Sequence, residues 1–307
     1  MVWHRRNIHG QSAIEYLATY GWVLLILAIA LGVLYFLGVF NSNAYVAKAS
    51  PYSCTVSRPY GPNSTAYMTL SGVCDNEIPE YVAKFNGQSS SVEIPYNPAL
   101  QPLSQFTLTL WVYIEPYQGP PPTKYGSRIY MDGGGGSDQG WEIDVPSTDL
   151  GSTAPVTAGI GIGSSEQSLT GTVPTGSWQF LSVVFNANAG RAYMYNNANA
   201  SPIGTLSFTP GTDMNAYIGN EVIGAFGNSP FDNFNGSISN IQLYNASLSA
   251  NGIRALYSEG IGGAPIELSN LVAWWQLNGN SNDTSGDLNN GASTNVIFTN
   301  TWYSTYS

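Results

Sequence analysis

Phe106–Ile114 reads FTLTLWVYI. Successive side chains of an extended strand point to opposite faces. Phe106, Leu108, Leu110, Val112 and Ile114 therefore share one face, and Thr107, Thr109, Trp111 and Tyr113 share the other. The first reads as a core face and the second as amphipathic. Runs of the same kind follow at Trp178 (WQFLSVVFN), Arg191 (RAYMY) and Ile238 (ISNIQLY), separated by Gly, Asn and Pro. Short alternating segments bounded by turn formers, from Tyr81 onward, predict an all-β sandwich. One short helix is predicted over Leu248–Tyr257, where Ser249 can cap and Ile253, Leu256 and Tyr257 make an apolar stripe.

The chain has 307 residues, enough for one large sandwich with an appended helix. Only 9% of residues are charged, and nine Lys and Arg against nineteen Asp and Glu give a net charge of −10. So few cations exclude a footprint that neutralises phosphates, and with it nucleic-acid binding. Aromatic residues reach 13%, which argues against disorder because it supplies apolar area to offset chain entropy. Solubility must rest on amides and hydroxyls, a composition of exported surfaces. The two cysteines, Cys54 and Cys74, can pair in an oxidising exterior. Two free thiols are the alternative. A metal site is weaker, because zinc takes four ligands as a rule and the histidines, His4 and His9, both lie at the N-terminus.

Ala13–Phe40 is almost wholly apolar, long enough as a helix to cross a ~30 Å hydrocarbon layer. Arg5 and Arg6 precede it, which places the basic flank in the cytoplasm and everything after Asn41 outside. An ordinary signal peptide is the plainer reading, but the apolar run is too long and lacks a clean small-residue cleavage site. In HRRNIHGQSAIEYLATYGWVLLILAIALGVLYFLGVF, basic residues end at Gly10 and a single carboxylate, Glu15, stands at the threshold of the apolar run. This pattern resembles the class III signal sequence of archaeal type IV pilins. The resemblance implies cleavage between Gly10 and Gln11 by a prepilin peptidase, with the hydrophobic helix kept on the mature protein. Glu15 would then pair with the α-amino group of a neighbouring subunit's Gln11 and set the register of packed helices. Water at the membrane interface is the alternative partner for Glu15.

The segments YVAKFNGQSSSVEIPYNPAL, FTLTLWVYIEP, GSWQFLSVVFNANAGRAYMYNN and FNGSISNIQLYNASLSANGIRALY, in this order, resemble the laminin G-like or concanavalin A-like jelly-roll family. LVAWWQLNGNSNDTSGDLNNG, from Leu271, resembles the strand that opens such domains, yet it comes last here. A circularly permuted sandwich is the favoured reading, and a truncated second copy the alternative. The division expected is a leader (1–10), a hydrophobic pilin helix (11–48), a disulfide-stapled neck (49–80) and the sandwich (81–307).

Some relatives of this fold are glycosidases, and WEIDV at Trp141–Val145 resembles part of their catalytic strand. Glu142 and Asp144 share a face, but Pro146 and Ser147 stand where the second carboxylate should follow. Both acids are expected to be solvated strand residues, and the chain is expected not to be an enzyme. No cofactor is required. Calcium is possible through Asp132, Asp138, Asp232, Asp283 or Asp287, since that ion wants six to eight oxygens. Exposed Trp and Tyr can stack on sugar rings, although most aromatics in such a chain belong to core or subunit contacts. Acceptor sequons for N-glycosylation occur at Asn63, Asn199, Asn235, Asn245 and Asn282. The expected function is a structural subunit of an extracellular type IV pilus-like filament, membrane-inserted as a precursor and polymerising with itself through its helices. The alternative is a membrane-anchored or minor-pilin adhesin that binds glycans or cell surfaces.

Overall fold

The computed structural model describes residues 9–37, 39, 48–75, 77–116, 127–132, 139–145, 150–215, 220–225 and 233–306. The chain divides into two compact units, Met1–Ala47 and Lys48–Ser307. The first holds one helix, α1, over His9–Phe36, 28 residues and about 42 Å at 1.5 Å per residue. Gly10, Gln11 and Glu15 lie in its backbone, and their side chains are outside the described residues. From Tyr20 to Phe36 every side chain is exposed; Trp22, Leu24, Ile26 and Phe36 range from 64 to 92%. A helix apolar on all sides has no single face to turn toward a core. Counted over the residues whose side chains are described, no helix is both long and apolar enough to cross a membrane.

The second unit is a sandwich of two antiparallel sheets. Seven strands form one sheet in the order Ser165–Pro174, Thr153–Ile162, Trp141–Val145, Ser127–Asp132, Glu221–Ile223, Ser91–Ile94 and Ala292–Thr294. The other runs Gly204–Ser207, Arg191–Asn196, Trp178–Asn186, Gln105–Ile114, Asn235–Tyr244, Val82–Asn86 and Ile297–Thr299. Its eighth strand, Leu271–Trp275, pairs with Asn235–Tyr244. Between the sheets lie Phe106, Leu108, Leu110, Val112 and Ile114, the face predicted as core, with Ile143, Ile160 and Phe185 opposite or beside them.

The other face of Gln105–Ile114 departs from its amphipathic expectation, because a second layer covers it. Helix α2, Ala250–Ser258, is capped by the Ser249 hydroxyl, which accepts from the Gly252 amide at 3.2 Å. It buries Ile253 and Leu256 against Trp111, Phe180, Tyr244 and Trp274. Thr107 is fully buried and satisfied within this layer, donating to the Ala246 carbonyl and accepting from the Leu248 amide.

Asn235–Tyr244 changes partner along one edge. Asn235–Ile238 pairs with Val82–Asn86, whereas Ile241–Tyr244 pairs with Leu271–Trp275. The change falls at a bulge between Ser239 and Gln242. Asn240 occupies it with φ of 51°, a left-handed conformation that Asn tolerates better than most residues. Its side chain joins the new strand to the old: Oδ1 accepts from the Trp274 indole at 2.7 Å, and Nδ2 donates to the Gly263 carbonyl at 2.8 Å. The late strand thus enters the sheet through a kink rather than at a free edge.

The stretch expected as a neck packs onto the sandwich unit. Cys54–Ser57 pairs with Thr69–Gly72 in a hairpin that the Cys54–Cys74 disulfide closes. A loop of 20 residues gains roughly 3 kcal/mol from such a link. Arg58 follows the first strand, buried to 3% exposure and paired with Asp287 at 2.8 Å. It also donates to the carbonyls of Ser285, Ser64 and Leu271. Arg58→Met should cost about 3–5 kcal/mol, the usual effect of stranding a buried charge. Urea unfolding of the full chain measures this, and Arg58→Met with Asp287→Leu should recover part of the loss.

Candidate functional site

Glu142 and Asp144 point outward from the seven-stranded sheet, as alternation requires. They are not the solvated residues expected. Arg128 lies in register opposite Asp144 on the next strand. Its guanidinium contacts Asp144 at 2.6 Å and Glu142 at 3.2 Å, and side-chain exposures are 11 to 15%. Glu166 reaches over Gly159 from the opposite strand, so that a Cβ at Gly159 would sit 2.7 Å from its carboxylate and 3.2 Å from Glu142. Burial raises Asp144 to about 6 against the pull of Arg128, and the nearby Glu166 carboxylate adds to the rise. Arg128 and Glu166 were not singled out in the sequence, because their relation to Glu142 exists only through strand register.

A second acidic group is internal. Glu221 and Asp132 face each other across neighbouring strands. Glu221 accepts from the Tyr130 hydroxyl at 2.8 Å, and Asp132 accepts from the Gln101 amide at 3.0 Å. Tyr130 stacks on Trp141, centroids 4.9 Å apart, and Trp141 stacks on Phe106 at 4.4 Å. Two carboxyls in such surroundings share a proton instead of both ionising. Burial raises Asp132 to about 6, and raises Glu221 far above the carboxylate range with help from the Asp132 charge.

The outer face of the eight-stranded sheet carries an open cleft of about 330 Å³. Its aromatic lining is Trp111, Trp178, Tyr257 and Tyr306; its polar lining is Ser177, Gln179, Asn197 and Thr305. Trp111 stacks on Tyr257, centroids 5.6 Å apart at 21°, and meets Tyr306 edge-on at 5.5 Å. Gln179 is the polar hub: Oε1 accepts from Asn196 and Asn197 at 3.1 and 3.0 Å, and Nε2 donates to Ser177 at 2.9 Å. The Trp178 indole donates to Thr305 at 3.2 Å. Sequence reading allowed for sugar-stacking aromatics without choosing any. The alternation of WQFLSVVFN placed Trp178 and Phe180 together, but nothing local pointed to Tyr257, Thr305 or Tyr306.

The described calcium candidates are each engaged by groups of the protein. Asp283 spends its carboxylate on the amides of Trp274, Ser285 and Asn289, at 2.8 to 2.9 Å. Asp287 is taken by Arg58 and by the Asn63 amide. Burial raises its carboxyl despite those two partners. Asp132 belongs to the proton-sharing pair. Asp138 and Asp232 lie outside the described residues. Among the described residues, no three His, Cys, Asp or Glu side chains converge on a metal position. Of the sequon asparagines, Asn63, Asn199, Asn235 and Asn245 are exposed, whereas Asn282 is half-buried and donates to the Tyr52 hydroxyl.

A family model described as the concanavalin A-like lectin/glucanases superfamily matches residues 86–254, more than half of the chain. The chain belongs to this superfamily. No curated protein matches it. Among solved structures, this concanavalin A-like chain is similar to a proposed carbohydrate-binding protein from Bacteroides ovatus, with 14% identity and a TM-score of 0.51. The match covers 76% of this chain and 63% of that one, so this chain spans less than two thirds of that protein. The heptameric SAP-like pentraxin of Limulus polyphemus is 16% identical at a TM-score of 0.47, covering 71% and 94%. The Ruminococcus gnavus IT-sialidase CBM40 bound to α2,3-sialyllactose is 15% identical at 0.41, covering 59% and 99%. At these identities the likeness is one of fold.

The acidic groups fix the sign of the domain's pH response. Asp132 and Asp144 titrate near 6 when folded and near 3.8 as free side chains, and Glu221 is raised as well. The folded chain therefore holds protons that the unfolded chain has released, and stability falls as pH rises through about 6. Urea midpoints should be higher at pH 4.5 than at pH 7.5. Asp132→Asn with Glu221→Gln should shrink that difference, leaving the shares of Asp144, Asp287 and Glu77, which burial also raises.

Proposed function

We propose that this chain is a surface-anchored adhesin whose sandwich binds carbohydrate and whose N-terminal helix holds it at the membrane. The observation that carries this reading is the cleft bounded by Trp111, Trp178, Tyr257 and Tyr306, with Gln179, Asn197, Ser177 and Thr305 between them. Aromatic faces cover the apolar C–H faces of a sugar ring, and amides and hydroxyls meet its oxygens. The Bacteroides ovatus structure, named for carbohydrate binding, supports the same direction at the level of fold. We favour binding over hydrolysis. Glu142 and Asp144 are engaged by Arg128, and Ser147 stands where the catalytic motif carries its second carboxylate.

A second reading, a filament subunit, is favoured by α1. Its apolar side chains are exposed on every side, and such a surface needs lipid or copies of itself as cover. The class III signal pattern fits both readings: a prepilin peptidase would cut after Gly10, leaving Gln11 first and Glu15 to pair with a neighbour. A possible permutation of the sandwich changes neither.

Two measurements test the proposal. The mature protein should begin at Gln11 by mass spectrometry, and Gly10→Val should leave the precursor uncut; a mature terminus beyond Phe40 would remove the anchor. On a glycan array the full chain should bind saccharides, and Tyr257→Ala should reduce that binding by about 5- to 150-fold, as loss of one stacking face costs ~1–3 kcal/mol. Filaments seen by electron microscopy on cells expressing the wild-type chain alone would favour the second reading.

A further inference from the structure

Resting on the reading of the cleft as a saccharide site, we propose that its ligand is an uncharged pyranose and that anionic sugars are excluded. Among the described residues, none of the eight that line the cleft is charged. The polar groups are also largely committed to one another, which determines what they have left to offer. Gln179 accepts twice and donates once within the cluster. The carbonyl of Asn197 accepts from the Phe180 amide at 2.8 Å, and Thr305 accepts from Trp178 and donates to the Trp302 carbonyl. The remaining capacity is one N–H each on Asn197 and Gln179, the Ser177 hydroxyl proton, the Tyr257 phenol and the buried Trp111 indole N–H, which has no partner. These are neutral donors suited to hydroxyl and ring oxygens.

A carboxylate placed here would lose its hydration without meeting a cation, a cost that neutral donors offset only in part. It would also lie beside the aromatic side chains of Trp178 and Tyr257, whose rings carry a negative quadrupole at the face. A neutral ring presents C–H groups to the same surfaces at no such cost. The net charge of −10 on the chain adds a long-range bias in the same direction. At about 330 Å³ the cleft lies near the low end of the ~300–1,000 Å³ usual for small-molecule sites, which limits the occupant to a short segment of sugar chain.

Calorimetric titration of the full chain, kept in detergent, with lactose, maltose and N,N′-diacetylchitobiose on one side and α2,3-sialyllactose and a glucuronate disaccharide on the other, tests this. At least one neutral sugar should bind about tenfold or more tighter than either acidic one. Ser177→Lys, which sets a cation at the half-exposed rim, should narrow or reverse that ratio. Tyr257→Phe, which loses one donor but keeps the ring, should weaken neutral binding less than Tyr257→Ala does, and equal far-ultraviolet circular dichroism of the two variants separates a lost ring face from a misfolded helix. Acidic sugars binding as tightly as neutral ones, in a manner that Tyr257→Ala abolishes, would overturn the neutral-ligand inference while leaving a saccharide site. Binding of none of the five would overturn both.

Discussion

Asn240 holds the sandwich together at the point where its topology is least regular. A strand that changes partner halfway along one edge must turn its backbone without leaving polar groups unmet. The bulge does this by giving the Asn240 amide to the Gln276 carbonyl at 3.0 Å. Its side chain meets the Trp274 indole, the Gln242 amide and the Gly263 carbonyl. Trp274 and Trp275, both fully buried, can then be delivered by a strand that arrives late in the chain. Trp275 enters the core between the sheets, while Trp274 joins the layer under α2. Replacing the bulge by a regular register would exchange the faces of these two indoles, sending each to the wrong side of the sheet.

The loop after Leu271–Trp275 shows how a chain with few charges uses the ones it buries. Asp283 caps three backbone amides and fixes the reversal. Asp287 receives Arg58 from the hairpin, so one guanidinium joins the start and the end of the sandwich unit. A buried pair of this kind adds little net energy over apolar residues of equal volume, because desolvation cancels most of the attraction. What it supplies is specificity, since only one docking of the hairpin lets the guanidinium meet three carbonyls and a carboxylate together. The Asp132 and Glu221 pair is the contrasting solution, in which no cation among the described residues meets them and a shared proton removes the charge.

Local pattern carried much of the architecture. The alternation of Phe106–Ile114 identified a strand and its core face, Ser249 marked the cap of α2, and Cys54 and Cys74 form the disulfide expected to staple the neck. What the sequence concealed was long-range. Arg58 and Ser285 are 227 residues apart, and no periodicity links them. The second face of Phe106–Ile114 read as amphipathic because Thr107 and Thr109 alternate with aromatics, and only the tertiary cover of α2 buries them. Glu142 and Asp144 read as solvated because Arg128 is brought beside them by strand register, which pairwise spacing in the chain does not encode.

The cleft follows from the same covering layer. Helix α2 is anchored by Ile253 and Leu256, which fixes Tyr257 over Trp111, and the C-terminal turn is anchored by Trp302 against Trp178 at 5.9 Å. The two elements border, without filling, the space at the start of Trp178–Asn186, where Ser177 and Gln179 lie beside Asn197. A gap therefore remains whose floor is strand, whose walls are buried aromatics and whose polar groups already hold one another in place. Such a gap is preorganised, because ligand binding need not order side chains that are fixed beforehand. Recognition there depends on shape and stacking more than on charge, consistent with a surface that carries so few ionised groups.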